Sequence, residues 1–334
     1  MAEMMPHTHI LGTGSSMPKR ILSNKDLEGI LDTSDEWITR RSGIKERRIS
    51  SRQEKETTTD LTTQASLKAI EMAGICPKSL DMIVVGTVTP DRQFPSTACM
   101  VQESLGADNA AAFDISAGCT GFLYALSMAD NAIRSGSCKV ALVVGVERLS
   151  TILNWQDRST SVLLGDGAGA VVVASSNGKE GILSTHLRSD GSLWELLYSY
   201  YGNSYIPEIL QDIDMKPFQL SMDGHRLFKK AVGSLSAIAT EALEHNCLTS
   251  KDIALLVPHQ ANIRIIQAMA KSLGISMDKV YTNIHRYGNT SSASIPIALD
   301  EANREGLLKE GDHLLFVSFG AGLTWGASIV RWGI

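Results

Sequence analysis

Cysteine is scarce in this sequence, and its five copies are scattered. They are odd in number and form no C-x-x-C pair: Cys76, Cys99, Cys119, Cys138 and Cys247. Disulfide frameworks and zinc sites are normally marked by even-numbered or closely paired cysteines. The pattern therefore argues against both, and we expect reduced thiols and no metal site. A chain of 334 residues also buries enough surface on folding to be stable without a disulfide or a structural metal ion.

Positive charge and long apolar runs are lacking as well. The chain has 31 lysines and arginines against 36 aspartates and glutamates, a formal net charge of −5, which is unfavourable for nucleic-acid binding. No apolar run approaches the length of about 20 residues that spans a bilayer. The first ten residues, MAEMMPHTHI, do not have the basic and then apolar pattern of a signal peptide. We expect a cytoplasmic protein that binds neither nucleic acid nor membrane.

What the sequence does contain is an internal repeat. Three landmarks recur in the same order at separations of 171, 170 and 168 residues: LDMIVVGTVTPD (80–91) with KDIALLVPHQAN (251–262), GCT (118–120) with GNT (288–290), and SLG (104–106) with SLG (272–274). Any two α/β segments can share valine-rich strands, but they need not share the order and spacing of such landmarks. The repeat therefore predicts two similar halves.

The periodicity of each half predicts an α/β fold. Continuous apolar stretches such as KVALVVGV (139–146) and HLLFVSF (313–319) are typical of strands in sheets covered on both faces. Amphipathic stretches at 58–75 and 233–248 predict the helices between them. We interpret the chain as a duplicated α/β protein with halves 1–176 and 177–334. The glycine-rich segments GTGSS (12–16) and GDGAGA (165–170) fit no nucleotide-binding motif, and we interpret them as tight turns.

Cys119 lies in FDISAGCTGFLYAL (113–126), where an extended stretch gives way to helical periodicity. A buried structural cysteine is one interpretation, because free cysteine packs as a small hydrophobic side chain. A nucleophile is the other, because the N–H groups and dipole of a helix N-terminus favour the thiolate. The repeat pairs Cys119 with Asn289, which alone would be interpreted as a helix cap.

A histidine is the third candidate residue. Pro258 should end the apolar strand, since proline cannot donate to a sheet, and His259 follows it directly. Taken alone it would be a structural histidine. In a duplicated fold, however, equivalent turns converge on the pseudo-twofold axis, so Cys119 and Asn289 should face each other there. Pro296, a few residues beyond Asn289, should end or kink its helix.

These motifs resemble those of β-ketoacyl-acyl carrier protein synthase III, the initiating condensing enzymes of type II fatty acid synthesis. The resemblance runs from ILGTGSSMP (10–18) to FGAGLTWGASIVRW (319–332), and VPHQAN (257–262) and GNTSSASIP (288–296) are specific to these condensing enzymes. It implies a thiolase-like duplicated fold in five αβαβα layers. It also implies a decarboxylative Claisen condensation of an acyl-CoA primer with malonyl-acyl carrier protein, giving 3-oxoacyl-acyl carrier protein and CO₂.

The resemblance assigns roles to residues of this sequence. Cys119 is the nucleophile that carries the acyl group, and His259 and Asn289 bind the malonyl thioester carbonyl. The backbone N–H groups of Cys119 and Ala321 form an oxyanion hole, although many members carry glycine at the position of Ala321. The remaining roles are coenzyme A binding by Trp37, Arg41 and Arg158, and an acyl pocket near Phe319 and Phe94, the latter at the interface of a homodimer.

The partners follow from the same resemblance and from charge. Coenzyme A thioester is a substrate, and no cofactor is expected. Acyl carrier protein is acidic, so a chain of net negative charge needs a local basic patch to attract it. Helical spacing places Arg226, Lys229 and Lys230 on one face, which Arg264 and Lys271 extend. The tyrosine-rich segment 191–215 departs from the family pattern.

Three alternatives remain open from the sequence. Papain-type hydrolases also carry Cys, His and Asn in this order, but their cysteine motif, C-G-[SA]-C-[WY], differs from the AGCTG around Cys119. A non-catalytic scaffold has no need of three polar residues at converging turns. A condensing or acyl-transfer enzyme of specialised metabolism shares both fold and motifs, so neither separates it from the fatty acid enzyme.

Overall fold

The computed structural model describes residues 7–51, 53–176, 178–199 and 219–334. Its strands are β1 His7–Ser16, β2 Ile21–Ser23, β3 Glu46–Arg48, β4 Met82–Gly86, β5 Ala111–Ile115, β6 Val140–Arg148, β7 Asp166–Ser176, β8 Gly181–Ser189, β9 Leu197–Tyr198, β10 Ser221–Met222, β11 Ile253–Pro258, β12 His313–Gly320 and β13 Thr324–Arg331. Its helices are α1 Asn24–Glu28, α2 Asp35–Ser42, α3 Thr58–Ala73, α4 Thr97–Leu105, α5 Gly121–Arg134, α6 Arg158–Ser161, α7 Gly224–His245, α8 Ile263–Leu273, α9 Ile284–Tyr287 and α10 Ser294–Arg304.

Local sequence sets the ends of the helices. Thr57 and Asp60 form a reciprocal capping box that starts α3, and Gly74 ends that helix in the left-handed conformation at φ 64°. Helix α8 is built the same way, because the Asn262 side chain accepts from the backbone N–H of Arg264 and Gly274 closes the helix at φ 68°. These signals bound the amphipathic stretches that pack on the sheets.

The two main sheets repeat one topology. The first has the order β1-β7-β6-β4-β5 and the second the order β8-β13-β12-β11. Strand β4 is parallel to β6, and β11 is parallel to β12. The next two strands in each order, β7 and β1 in the first sheet and β13 and β8 in the second, run antiparallel to their neighbours. An isolated parallel bridge between Leu256 and Val280 stands where β5 stands in the first sheet. The first sheet uses strands from residues 7–176 and the second from residues 181–331.

Helices separate and cover the sheets in five layers. Helices α3 and α4 cover the outer face of the first sheet, and α7 and α8 cover the outer face of the second. Helices α5 and α10 lie between the sheets and contact strands of both. Three apolar cores fill the spaces between layers, and the central one contains Phe122, Leu299 and Phe316. This is the αβαβα order that we expected.

Two glycine-rich segments are strands and not the tight turns that we expected. GTGSS ends β1 and GDGAGA begins β7, apart from its first glycine. A β-carbon at Gly14 would lie 2.2 Å from the carbonyl oxygen of Ala65, and one at Gly169 would lie 2.6 Å from the backbone nitrogen of Ile297. These glycines are needed because a helix backbone packs directly on each strand.

The expected effect of Pro296 was also wrong. It lies in the first turn of α10, where its missing N–H breaks no helical hydrogen bond, so the helix continues to Arg304. A 3-10 turn, Ser291–Ala293, precedes this helix, and the equivalent 3-10 turn, Gly118–Thr120, precedes α5. The two turns are in contact at the centre of the molecule.

Candidate active site

A cavity of about 1600 Å³ lies at the two central turns. Cys119, His259, Asn289, Phe319 and Ala321 all line it. Side chains of α7 and α8 line one arm of this cavity, and residues 88–93 of the loop after β4 line another. The fold thus brings the three sequence-predicted polar residues to one space.

The Cys119 thiol is held in its protonated form. Burial raises the pKa of this thiol to about 11, against a hydrogen bond from the Ser291 side chain, and the nearby Glu147 carboxylate raises it further. Burial of the sulfur therefore opposes the thiolate that a helix N-terminus favours. Desolvation of the sulfur outweighs the donors around it.

His259 is held as a neutral imidazole. Strand β11 ends at Pro258, and the His259 backbone N–H donates to the carbonyl of Val317 at 2.8 Å, which fixes the residue beside β12. Its Nδ1 is 2.6 Å from Oγ of Ser294. Burial lowers the pKa of His259 to about 3, so the ring is uncharged at neutral pH. Nε2 has no hydrogen-bond partner among the residues described.

The Asn289 side chain is oriented by its own turn. Gly288 adopts φ 64°, and a β-carbon there would lie 2.8 Å from the carbonyl oxygen of Leu163, so glycine is required. The Asn289 backbone N–H donates to that same carbonyl at 2.8 Å. Oδ1 of Asn289 accepts from the Ser291 backbone N–H at 2.8 Å. With Oδ1 occupied, the Nδ2 amide group is left as a donor.

Two backbone N–H groups lie together beside the cysteine. A β-carbon at Gly118 would lie 2.9 Å from the Ala321 nitrogen, and one at Gly320 would lie 2.5 Å from the Cys119 nitrogen. No turn or loop carbonyl in the described part of the chain accepts from either nitrogen. Ala321 is not among the residues with positive φ, so alanine keeps the donor that glycine would provide in other members.

Trp37, Arg41 and Arg158 form one cluster, in which the two arginines are exposed and Trp37 is half-buried. The guanidinium carbons of Arg41 and Arg158 lie 4.9 and 5.1 Å from the centre of the Trp37 ring. Arg158 is the first residue of α6, whose Thr160 lines the cavity. The cluster therefore lies near the cavity without lining it.

The basic residues of the expected docking patch differ in their exposure and in whether they pair with a carboxylate. Lys230 is half-buried: its Nζ lies 3.3 Å from Oδ2 of Asp190 and 5.7 Å from the centre of the Trp325 ring. Arg264 and Lys271 are exposed on α8, and Arg264 lies over the Phe228 ring. Lys230 is thus partly neutralised, whereas Arg264 and Lys271 pair with no carboxylate among the described residues.

The two phenylalanines of the expected acyl pocket are far from equivalent. Phe319 lines the cavity, is buried and stacks on Trp325 with ring centres 6.3 Å apart. Phe94 does not line the cavity of its own chain, and 81% of its surface is exposed. The expectation that Phe94 lies near the acyl pocket at a dimer interface concerns a second copy of the chain and stays a prediction.

Sequence reasoning missed three residues at the site. Ser291 contacts the Cys119 sulfur and Asn289, Ser294 contacts His259, and Glu147 lies beneath the cysteine turn. An acidic residue at the end of the apolar strand KVALVVGVER was the one available signal, and it points to Glu147. Of the atypical segment 191–215, Trp194, Leu197 and Tyr198 line the cavity, and residues 200–215 lie outside the described residues.

Within the described ranges, no cluster of three histidine, cysteine or acidic side chains has the arrangement of a metal site. No helix in those ranges is long and apolar enough to cross a membrane.

Known proteins match this chain over nearly its whole length. Residues 113–191 match the family 3-oxoacyl-[acyl-carrier-protein (ACP)] synthase III, and residues 243–332 match its C-terminal family. The β-ketoacyl-[acyl-carrier-protein] synthase III of Caldanaerobacter subterraneus subsp. tengcongensis is 52% identical over 323 residues, 97% of each chain.

Solved structures agree. The crystal structure of 3-oxoacyl-[acyl-carrier-protein] synthase III from Aquifex aeolicus VF5 has a TM-score of 0.91 and 50% identity, covering 97% of this chain and all of that one. The priming β-ketosynthase of the R1128 polyketide pathway has a TM-score of 0.91 and 38% identity, covering 99% of this chain and 98% of that one.

Fold and relatives define a condensing acyltransferase with the thiolase-like fold, which excludes the hydrolase and the non-catalytic scaffold. The chain belongs to the β-ketoacyl-[acyl-carrier-protein] synthase III family. Membership of this family assigns it to fatty acid biosynthesis.

Proposed function

We propose that the protein transfers an acyl group from coenzyme A to Cys119 and then condenses it with malonyl-acyl carrier protein. The products are 3-oxoacyl-acyl carrier protein, CO₂ and free coenzyme A. The observation that carries the proposal is the meeting of Cys119, His259 and Asn289 at one cavity, beside two backbone N–H groups that no turn or loop carbonyl accepts from.

In the first half-reaction the sulfur of Cys119 attacks the carbonyl carbon of the acyl-CoA thioester. The carbonyl oxygen gains negative charge, and the N–H groups of Cys119 and Ala321 are the donors available to it. Collapse of this intermediate expels the coenzyme A thiolate, which takes up the proton that the cysteine gave up. One thioester replaces another, so the acyl carbon stays reactive.

In the second half-reaction the malonyl unit loses CO₂ and leaves an enolate. The enolate oxygen needs preorganised hydrogen-bond donors, and a neutral imidazole and a carboxamide suit it. Nδ2 of Asn289 is left for this task because Oδ1 is occupied by Ser291. The enolate carbon then attacks the acyl carbon on Cys119 and releases the sulfur.

The charged groups outside the cavity suit the two carriers. Arg41, Arg158 and Trp37 combine cationic and aromatic surfaces, which match the phosphates and adenine of coenzyme A. Arg264 and Lys271 are exposed near the same cavity and suit an acidic acyl carrier protein. Lys230 contributes less because Asp190 pairs with it.

We further propose a cytoplasmic homodimer. The edge of β5 that faces away from β4 has no strand partner in the described residues, and the exposed Phe94 ring would be covered by a second copy. Five free thiols suit a reducing compartment.

Intact mass measurement after incubation with a panel of acyl-CoAs tests the proposal. We expect one acyl increment per chain, absent in Cys119→Ser and retained in the matched control Cys138→Ser. The chain length that reacts fastest identifies the primer. No increment with any acyl-CoA, or an increment that survives Cys119→Ser, would contradict the acyl-cysteine step.

The R1128 relative supports a second candidate, priming of a polyketide chain. The two candidates differ in the carrier protein that accepts the product. Competition between a fatty acid carrier and a polyketide carrier, each loaded with malonate, separates them, and we expect the fatty acid carrier to be preferred.

A further inference from the structure

Ser294 connects the catalytic histidine to the turn that carries Asn289. Its Oγ lies 2.6 Å from Nδ1 of His259 and 2.8 Å from the carbonyl oxygen of Ser291, to which it is placed to donate. Ser294 is 2% exposed and His259 is 6% exposed, so water does not replace either contact. A hydroxyl has one hydrogen, and it can be given to only one of these two neighbours.

We propose that Ser294 is a positioning residue that sets which ring nitrogen of His259 carries the hydrogen, and that it holds this hydrogen on Nδ1 in the free enzyme. The proposal rests on the proposed function only for its consequences in catalysis. The tautomer itself is a property of the folded chain.

Counting hydrogen bonds decides between the two arrangements. In the first, Nδ1–H donates to Ser294 Oγ, and the Ser294 hydroxyl donates to the Ser291 carbonyl. In the second, the hydroxyl donates to a bare Nδ1, and the contact with the Ser291 carbonyl is lost. The first arrangement makes one more hydrogen bond between buried groups and is therefore favoured at rest.

The second arrangement nevertheless stays accessible. The Ser291 carbonyl also accepts from the Ser294 backbone N–H, so it is not left without a partner when the hydroxyl turns away. A rotation of one hydroxyl thus allows either tautomer of His259 without creating a buried unsatisfied group.

The two half-reactions need opposite tautomers. In acylation the bare Nε2 accepts the proton of the Cys119 thiol as the sulfur–carbon bond forms, and returns it to the departing coenzyme A thiolate. In decarboxylation Nε2 must carry a hydrogen that it donates to the enolate oxygen. The change of tautomer removes one proton from Nδ1 and adds one to Nε2. Because Ser294 shields Nδ1 at rest, the exchange takes place when the ring transiently opens to water in the cavity, which accepts one proton and supplies the other, so charge and atoms balance.

The test combines a spectroscopic readout with two rates. In protein labelled with ¹⁵N-histidine, with His259 assigned by its absence in His259→Asn, we expect a protonated Nδ1 and an unprotonated Nε2. In Ser294→Ala the hydrogen should move to Nε2, because Nδ1–H would have no acceptor. Acylation by acyl-CoA should fall by about 10²-fold or more, the scale of a lost general base, while CO₂ release from malonyl-acyl carrier protein falls less.

Two further variants serve as controls. Ser294→Thr keeps the hydroxyl and should restore the wild-type tautomer, and Ser328→Ala, a buried hydrogen-bonded serine remote from the cavity, should leave both rates unchanged. A wild-type spectrum with the hydrogen on Nε2 would overturn the inference even if Ser294→Ala does not fold. So would an equal fall of the two rates. A wild type that takes up no acyl group contradicts the proposed function instead, and leaves the spectrum to decide the tautomer.

Discussion

Replacing Glu147 with glutamine should change how the stability of the protein depends on pH. Glu147 is fully buried beneath the nucleophile turn and has no cationic partner among the described residues. It accepts from the Thr89 hydroxyl at 2.5 Å and from the Val88 N–H at 3.1 Å, and Ser292 Oγ is 3.2 Å away. Burial outweighs these donors and raises its pKa from 4.5 to about 7.

The sign and size of the effect follow from this pKa. Between pH 4.5 and 7 the folded protein binds the proton more tightly than the unfolded chain does, so the contribution of Glu147 to stability falls as pH rises. A rise of 2.5 units corresponds to about 3 kcal/mol at 1.36 kcal/mol per unit. Glutamine does not titrate and keeps the shape. The stability of Glu147→Gln relative to wild type should therefore increase by about 3 kcal/mol from below pH 4.5 to above pH 7.

Urea unfolding of both proteins across this pH range measures the difference directly. His259 has a lowered pKa, so its own contribution is lost as pH falls below 6.5, but it titrates in both proteins and cancels. Ser328→Ala, which removes no titrating group, serves as the control and should differ from wild type by a constant amount. A difference for Glu147→Gln that is independent of pH, or that shrinks toward alkaline pH, would refute the reasoning. The variant should also alkylate faster at Cys119, because the loss of the carboxylate lowers the pKa of the thiol.

Two other predictions concern the surface around the cavity. Arg264→Glu should raise the KM for malonyl-acyl carrier protein more than Lys230→Glu does, because Lys230 already pairs with Asp190. Neither variant should alter acylation by acyl-CoA. Equal effects of the two variants on KM, or a matching loss of acylation, would exclude this docking face. Trp37→Ala should raise the KM for acyl-CoA without slowing acylation by an acyl-pantetheine fragment that lacks the nucleotide. Steady-state rates with both substrates measure this difference. An equal loss of rate with the fragment would place Trp37 elsewhere in the mechanism.

The sequence was most informative where structure is local or repeated. Continuous apolar strands, amphipathic helices and a repeated order of landmarks were enough to predict the duplicated α/β fold, whereas its five layers were implied by the family resemblance. The strand end at Pro258 and the helix start after Cys119 could be read from neighbouring residues alone.

The wrong expectations concern residues whose conformation or contacts depend on segments that are distant in the sequence. The glycines of β1 and β7 were expected in turns because their sequence carries no sign of the helix that packs on each strand. Glu147 is held at the site by contacts with Val88, Thr89 and Ser292, which are 59, 58 and 145 positions away from it in the sequence. The residues next to Glu147 in the sequence do not indicate these contacts.

The sequence also could not predict the protonation state or the backbone conformation of single residues at the site. The helix N-terminus suggested a thiolate at Cys119, whereas the burial of the sulfur, which depends on the whole fold, dominates its pKa. Ser291 adopts φ 50°, an unusual backbone for serine, and from there it contacts the cysteine and fixes the asparagine. Nothing in TSSAS distinguishes it from its neighbours.

The division of labour between Cys119 and Asn289 is the central claim, and one paired measurement tests it most directly. Asn289→Ala is incubated with acyl-CoA and, separately, with malonyl-acyl carrier protein labelled in its free carboxylate. Acyl-enzyme is followed by intact mass and decarboxylation by labelled CO₂. Asn246→Ala is the matched control, because it removes a carboxamide that donates to Ser184 of β8 and to the carbonyl of Ala242 in α7.

The account predicts that Asn289→Ala still takes up the acyl group on Cys119, because its carboxamide serves only the malonyl carbonyl. CO₂ release should fall by roughly 10²–10³, the usual effect of removing one preorganised donor to a developing oxyanion. The control should retain both activities. If Asn289→Ala loses acylation and decarboxylation in equal measure, the proposed roles of the two residues are wrong.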